Sequence, residues 1–165
     1  MEIRDARADE LAEIGTIRVE AYRADSFLSP ESAYEPILRR LGADGAGHVL
    51  VAVDSDGELV GTVMLQTWPQ AGELVRSPDE AEVRALAVRP AARGAGIGRA
   101  LVAAVIDRAT RENIRHLLLF TQSDMKTAHG LYEDAGFVRL PERDWAPEPG
   151  VDLLAYGLVL DLLVK

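Results

Sequence analysis

The stretch Val88-Arg89-Pro90-Ala91-Ala92-Arg93-Gly94-Ala95-Gly96-Ile97-Gly98-Arg99 decides how this chain is read. It joins an apolar run, Val83 to Val88, to an apolar-periodic segment that opens near Ile97. Glycine at the alternate positions 94, 96 and 98 leaves the backbone bare where a strand gives way to a helix. The first-turn N–H groups of a helix lack partners within it and the helix dipole favours negative charge there, so such a junction is an anion site. Arg93 and Arg99 bracket the glycines, and guanidinium groups match phosphate geometry. The stretch reads as a pyrophosphate cradle. The plainer alternative is a tight turn packed against a sheet.

Two commoner nucleotide motifs do not fit. A P-loop needs GxxxxGK[ST], and the chain has no Gly-Lys-Ser or Gly-Lys-Thr. A dinucleotide fingerprint needs GxGxxG in the first strand–helix unit of its domain. Here Arg99 stands where the third glycine belongs, and the unit lies past mid-chain behind a hairpin.

Composition narrows the classes further. The 165 residues, 48% hydrophobic and 27% charged, are most simply one globular domain, 1–165. With no cysteine, disulfides, thiolate metal sites and a Cys nucleophile are all excluded. His48, His116 and His129 form no HExxH-like pair, so no metal site is expected. A formal charge of −9 argues against general nucleic-acid binding, which needs clustered positive charge. Against that background Arg84, Arg89, Arg93 and Arg99 form a local basic cluster, which suits a small phosphorylated ligand. No apolar run reaches the roughly 18 to 20 residues of a membrane span. The charged start Met1-Glu2-Ile3-Arg4-Asp5 is unlike a secretory signal, so the cytoplasm is the expected compartment.

Outward from the glycines, the pattern predicts a short strand at Met1 to Arg4 and a helix from Asp9 to about Asp25, with Leu11, Ile14, Ile17 and Ala21 on one face. Ser29-Pro30-Glu31 reads as a second helix start, carrying Tyr34, Ile37, Leu38 and Leu41 and ending at Gly42. His48 to Val53 and Glu58 to Thr67 flank Asp54-Ser55-Asp56-Gly57, a hairpin turn. Trp68-Pro69-Gln70-Ala71-Gly72 breaks the second strand, and Ala81 to Val88 follows as a buried strand. Behind the helix that opens near Ile97 come a strand at His116 to Phe120, a helix at Lys126 to Ala135 stopped by Gly136, and a strand at Phe137 to Leu140. Pro141 to Gly150 is too proline-rich for a sheet interior and reads as a loop, and Val151 to about Leu160 closes the chain as a strand. The order implies a mixed sheet with helices on both faces, α/β or α+β.

Arg93-Gly94-Ala95-Gly96-Ile97-Gly98 resembles the (Gln/Arg)xxGx(Gly/Ala) signature of the GNAT superfamily of N-acetyltransferases. Ala81 to Pro90 is similar to that superfamily's fourth strand, and Ala128-His129-Gly130-Leu131-Tyr132-Glu133-Asp134-Ala135-Gly136-Phe137 to its AxxLYexxGF block. The resemblance covers Gly57 to Leu140. It implies a mixed, mostly antiparallel, twisted sheet of about six to seven strands with about four helices. It further implies an acetyl-CoA-dependent N-acetyltransferase acting on a primary amine of a small molecule or peptide by direct attack in a ternary complex. The rival is a non-catalytic acyl-CoA-binding regulatory module on the same fold.

By the same resemblance, the backbone of Leu86, Ala87 and Val88 pairs with the pantetheine arm of coenzyme A, and Val88 N–H is the oxyanion donor. Arg93, Gly94, Ala95, Gly96, Ile97, Gly98 and Arg99 hold the pyrophosphate, and Ala128 lies against the cofactor. Arg89 is expected to be a solvated loop residue. Met125 replaces an asparagine that helps hold the cofactor in many members, so Ser123 or Lys126 compensates or the contact is lost. Amine acetylation needs a base for the ammonium and a donor for the leaving thiolate. Glu82 matches a common base position, although it could instead be a solvated strand end. Tyr132 matches the common thiolate donor, although Ala128, Leu131, Tyr132 and Ala135 also form an apolar helix face suited to a core tyrosine. His129 points away from that face and reads as surface. Tyr22, Phe27, Tyr34, Trp68 and Trp145 are nominated for the acceptor pocket, with core packing the alternative for each, and the loop from Pro141 to Gly150 is expected to shape it. A homodimer is compatible with the sequence if Val151 to Leu160 is an exposed edge strand.

Overall fold

The computed structural model describes residues 1–28, 31–45, 47–69, 71 and 74–160. Among them, strands β1 (Glu2–Asp5), β2 (His48–Val53), β3 (Leu59–Thr67), β4 (Glu80–Val88), β5 (His116–Gln122), β6 (Val138–Arg139), β7 (Trp145–Glu148) and β8 (Val151–Val159) form one sheet. Its order is β1-β2-β3-β4-β5-β8-β6, with β7 paired to β8 off this path. The helices are α1 (Leu11–Ala24), α2 (Glu35–Arg40), α3 (Ile97–Arg111) and α4 (Lys126–Asp134). Short 3-10 turns lie at Ala8–Glu10, Pro90–Ala92 and Pro141–Arg143. No helix among the described residues is long and apolar enough to cross a membrane.

The chain divides into two compact units, Met1–Met64 with Ala85–Ala104 and Leu65–Arg84 with Val105–Lys165. In the first, Ile14, Ile17 and Ala21 of α1 pack on Val51, Val53, Leu59 and Ala87. The β2–β3 turn closes as its residues dictate: the Asp54 carboxylate accepts from Asp56 and Glu58 N–H at 2.9 Å, and Gly57 takes φ +83. A Cβ on Gly61 would come within 3.0 Å of Ile97 and Leu101 side chains, so glycine there lets the opening of α3 settle onto β3. Arg18, 1% exposed, donates from Nη1 to the carbonyls of Leu38 and Leu41 at 3.1 and 2.8 Å. A cation at those carbonyls complements the C-terminal end of α2. That helix is shorter than the sequence suggests: it begins at Glu35, with Pro36 in its first turn, while Ser29 and Pro30 fall outside the described residues.

In the second unit β5 is parallel to β4, Glu80–Val83 against His116–Leu119, and antiparallel to β8 along its length. Ala71, Leu74, Val75, Leu118 and Ala155 form the core, with Phe120 and Leu140 packed against it. Helix α4 ends in a Schellman motif: Phe137 N–H donates to Tyr132 O at 3.0 Å, Gly136 N–H donates to Glu133 O at 3.0 Å, and Gly136 takes φ +105. The apolar contact that accompanies this motif is the edge-on packing of Tyr132 on Phe137, centroids 5.7 Å apart. The Leu-Tyr-xxx-Gly-Phe block is thus a helix stop written in sequence.

Two expectations are corrected. The sheet has eight strands, because Trp145–Glu148 pairs with β8 through an irregular register; a proline is tolerated there because β7 pairs off the main path of the sheet. Strand β8 is interior, flanked by β5 on one side and β6 and β7 on the other, so it offers no edge for a second copy.

One backbone feature lies inside β4 itself. Ala85 takes φ +55 while buried against Val19, Leu28 and Leu38. A left-handed residue with a Cβ interrupts the pleat and re-aims the strand beyond it. Ala85→Val, which would suit a regular strand, is expected to cost about 2 kcal/mol or more in urea denaturation, because a β-branched residue is strained there. Ala85→Gly should fall within about 1 kcal/mol of the parent, relief of strain offsetting the lost methyl packing.

Candidate active site

The glycine turn lies in the first unit. Gly94 and Gly96 take φ +88 and +80, and a Cβ on either would meet nothing within 4 Å. The glycines are therefore required by backbone conformation, and the space beside them is open. Ala100 N–H donates to Gly96 O at 3.0 Å, which starts the helical ladder, while Arg93 N–H closes back on Pro90 O at 3.4 Å. Backbone donors at an open turn ahead of a helix have the chemistry to take a diphosphate. Ile97 is buried beneath the turn, Gly98 is half-buried, and Ala95 and Arg99 are exposed.

The basic cluster is more engaged than its spacing suggests. Arg89 donates from Nε to Leu59 O at 2.7 Å and pairs with Glu13 and Glu20 of α1 at 2.8 and 3.1 Å. It is a clasp, not the solvated loop residue expected. Arg93 pairs with Asp25 at 2.7 Å and reaches Ala21 O at 3.3 Å. On β4, Ala87 is buried, Leu86 and Val88 are half-buried, and Arg89 N–H is bonded to Val60 O at 2.9 Å.

The second unit holds two carboxylates on one face of β4, since strand residues two apart project the same way. Glu80 is enclosed by donors. Arg143 grips it with two nitrogens at 3.1 and 2.8 Å, Arg76 N–H donates at 2.9 Å, and His116 Nδ1 lies 3.5 Å away. Burial pushes the Glu80 carboxyl up, but these donors outweigh it and hold it below the ordinary carboxylate range. Glu82 is 6% exposed, with Arg84 Nε at 3.9 Å. Burial pushes its carboxyl up to about 7, against the opposing pull of Arg84. It is therefore not a solvated strand end. A buried carboxyl that ionises near neutrality is suited to take and release protons.

Tyr132 is 7% exposed on α4, and burial raises its phenol above the ordinary value, so it stays a protonated hydrogen-bond donor through the neutral range. Its ring packs on Phe137, as the core alternative requires. Ala128 is half-buried a turn earlier on α4. Met125 precedes the helix, its sulfur 3.5 Å from Thr121 Oγ1, while Ser123 and Lys126 are exposed. His129 is a tether: a ring nitrogen lies 2.9 Å from Gln122 O and the ring packs on Tyr156, centroids 5.8 Å apart.

The nominated aromatics separate. Tyr22 packs against the Val19, Leu28 and Leu38 cluster, and Phe27 is half-buried with its N–H bonded to Tyr22 O at 2.8 Å. Tyr34, Trp68 and Trp145 are 38%, 43% and 43% exposed, so core packing does not explain them. Trp145 tilts over Phe120 with centroids 6.1 Å apart.

Residues 11–137 match the model of the acetyltransferase (GNAT) family. The chain belongs to that family. A mycothiol acetyltransferase of Paenarthrobacter aurescens is 30% identical over 121 residues, 73% of this chain and 32% of that protein. The chain spans about a third of the length of the curated relatives it matches. A GNAT-family acetyltransferase of Staphylococcus aureus MU50 superposes with a TM-score of 0.74 at 19% identity, covering 97% of this chain and 99% of that one. The Salmonella typhimurium protein yncA, solved with its cofactor acetyl-CoA, gives 0.71 at 22% identity over 100% and 96%. These likenesses show a GNAT fold.

Sequence reasoning about this GNAT chain missed Arg84 and Arg143 as neighbours of the β4 carboxylates and Gln66 as the partner of Arg84. Only alternation on β4 could have flagged Arg84, and Arg143 lies 63 positions from Glu80. The two carboxylates predict opposite behaviour. Glu82 keeps a proton in the folded state that the unfolded state has released, so its cost to stability grows as pH rises from 4.5 to about 7. Glu82→Gln should therefore gain on the parent across that window, approaching about 3 kcal/mol, and show no gain at pH 4. The Glu80 contribution is present above the unfolded pKa and lost as pH falls through the lower folded one. Glu80→Gln should thus cost about 1–3 kcal/mol at pH 7 and less in acid. Urea denaturation at a series of pH values reads both.

Proposed function

We propose that this chain is an acetyl-CoA-dependent N-acetyltransferase that acylates a primary amine of a small molecule or peptide by direct attack in a ternary complex. The observation that carries the proposal is Glu82: a buried carboxyl with a pKa raised to about 7, on the strand that leads into an open glycine turn, in a chain of the acetyltransferase family. Acetyl-CoA would supply the electrophilic thioester carbonyl and a sulfur leaving group. The pyrophosphate would be held by the turn from Arg93 through Gly94, Ala95, Gly96, Ile97 and Gly98 to Arg99, through backbone donors beyond the Arg93 N–H that Pro90 O already takes. The pantetheine arm would run along Leu86, Ala87 and Val88 and lie against Ala128, with Val88 N–H donating to the carbonyl oxygen as charge develops there.

Glu82 would take a proton from the arriving ammonium, directly or through water, and release it to solvent. The freed nitrogen lone pair would form the C–N bond as the C–S electron pair leaves on sulfur, and of the two protons still on nitrogen one would end on sulfur as the thiol while the other stays as the amide N–H. Tyr132, kept protonated by burial, would donate a hydrogen bond to the departing sulfur. A phenol less acidic than usual suits that role better than full proton transfer. The exposed Tyr34, Trp68 and Trp145, with the half-buried Tyr22 and Phe27, remain our candidates for acceptor contacts. The same reading makes residues 1–165 one catalytic domain working in the cytoplasm. A homodimer would have to form through a surface other than β8.

Thiol release from acetyl-CoA, measured against a broad amine panel, tests this. Activity should require an amine, and kcat should rise with pH to a plateau above an apparent pKa near 7. Glu82→Gln should lower kcat by about 10²- to 10⁴-fold and abolish that rise. Tight coenzyme A binding with no amine turned over would instead favour the non-catalytic acyl-CoA-binding module.

A further inference from the structure

Arg84 follows Glu82 on the same face of β4, and it is not idle packing. Its Nε lies 3.9 Å from Glu82 Oε2, and its Nη1 donates to Gln66 Oε1 at 3.0 Å. The Glu82 side chain is 8% exposed and that of Arg84 23%, so the guanidinium is the more accessible half of the pair. Leu118 of β5 is the register partner of Glu82, and Phe120, two residues on, projects from the same face. Phe120 is half-buried with the indole of Trp145 tilted over it. One face of the second unit therefore presents a carboxyl, a guanidinium fixed by an amide, and an aromatic wall.

A fixed cation beside the base has a consequence for the acceptor. A simple alkylamine or a polyamine arrives as a cation, gains no contact from a guanidinium and is repelled by it. An amine with a carbonyl or carboxylate oxygen on the adjacent carbon presents opposite polarities side by side. Its nitrogen matches the carboxyl, and its oxygen matches a guanidinium donor, which is strongest toward an oxygen acceptor of fixed geometry. We infer that Arg84, held by Gln66, is a specificity residue that selects α-amino carbonyl acceptors, amino acids or the N-terminal residues of peptides, with an apolar side chain lying along Phe120 and Trp145. This inference rests on the acetyltransferase reading above and narrows its acceptor to one chemical class.

The test is a matched series at saturating acetyl-CoA: phenethylamine, L-phenylalanine, L-phenylalaninamide and the dipeptide Phe-Ala, each assayed on the pH plateau of the enzyme used. At least one carbonyl-bearing acceptor should exceed phenethylamine in kcat/KM on the order of 10- to 100-fold, the worth of a charge-assisted hydrogen bond. Arg84→Met should erase that ratio by lowering kcat/KM for the carbonyl-bearing acceptors while that for phenethylamine holds or rises as the repulsion is removed, and Arg84→Lys should restore part of it. The free amino acid against the amide and dipeptide tells whether the oxygen read is a terminal carboxylate or a peptide carbonyl. Equal turnover of phenethylamine by the parent enzyme overturns the inference even if the Met variant fails to fold, and so does a parallel loss on all four in that variant. Turnover confined to alkylamines or polyamines in the broad panel overturns it while leaving the acetyltransferase reading standing. Bound coenzyme A with no amine acetylated at all defeats that reading instead, and this inference with it.

Discussion

A carboxylate buried at the start of β4 must be satisfied or neutralised, and the second unit is arranged around that demand. Glu80 draws Arg143, the Arg76 backbone and His116 onto itself, and Arg143 also donates to Leu74 O at 3.0 Å. One side chain thereby ties together the segment before β4, the opening of β5 and the 3-10 turn after β6. Because Glu80 takes the strong donors, Glu82 has, among the described residues, the more distant Arg84 to oppose its desolvation. The same residue type on the same strand face becomes a fastener at one position and a titratable group at the next. Removing a charge from water costs several kcal/mol unless partners return it, so a difference in partners of this size decides the ionisation of each.

Much of the fold was legible because it is written in short-range chemistry. Gly94 and Gly96 need left-handed backbone, Gly136 stops α4, and Asp54 with Gly57 closes a hairpin, each visible within a few residues of sequence. The strands β2, β4 and β5 and the helix α3 follow from apolar runs and periodicity. The proline-rich segment misled because Pro147 forbids a central strand but not one that pairs off the main path, and β8 misled because nothing local says whether a terminal strand has neighbours on both sides.

The site was less legible for a different reason. Glu80 and Glu82 sit in similar local contexts, and only tertiary partners separate them. Arg89 finds Glu13 across 76 positions, a contact no window reveals. Ala85 gives no sign of its left-handed conformation, because alanine is the residue least expected to announce one. What the family motifs reported was the glycine turn and the end of α4, whose backbones are set by Gly94, Gly96 and Gly136. Neither motif extends to Arg84 and Gln66, where an acceptor would be distinguished.

The clasp of arginines onto α1 bears on how an anion is captured. Glu13, Glu20 and Asp25 already neutralise Arg89 and Arg93 in a protein of net charge −9, so little long-range attraction radiates from the turn toward a polyanion. In the role proposed for it, the turn would grip through uncharged backbone donors that act only at contact. Capture would then be governed by residence and not by recruitment. The encounter rate should sit near the unsteered range and change little with ionic strength, while tightness resides in the dissociation step.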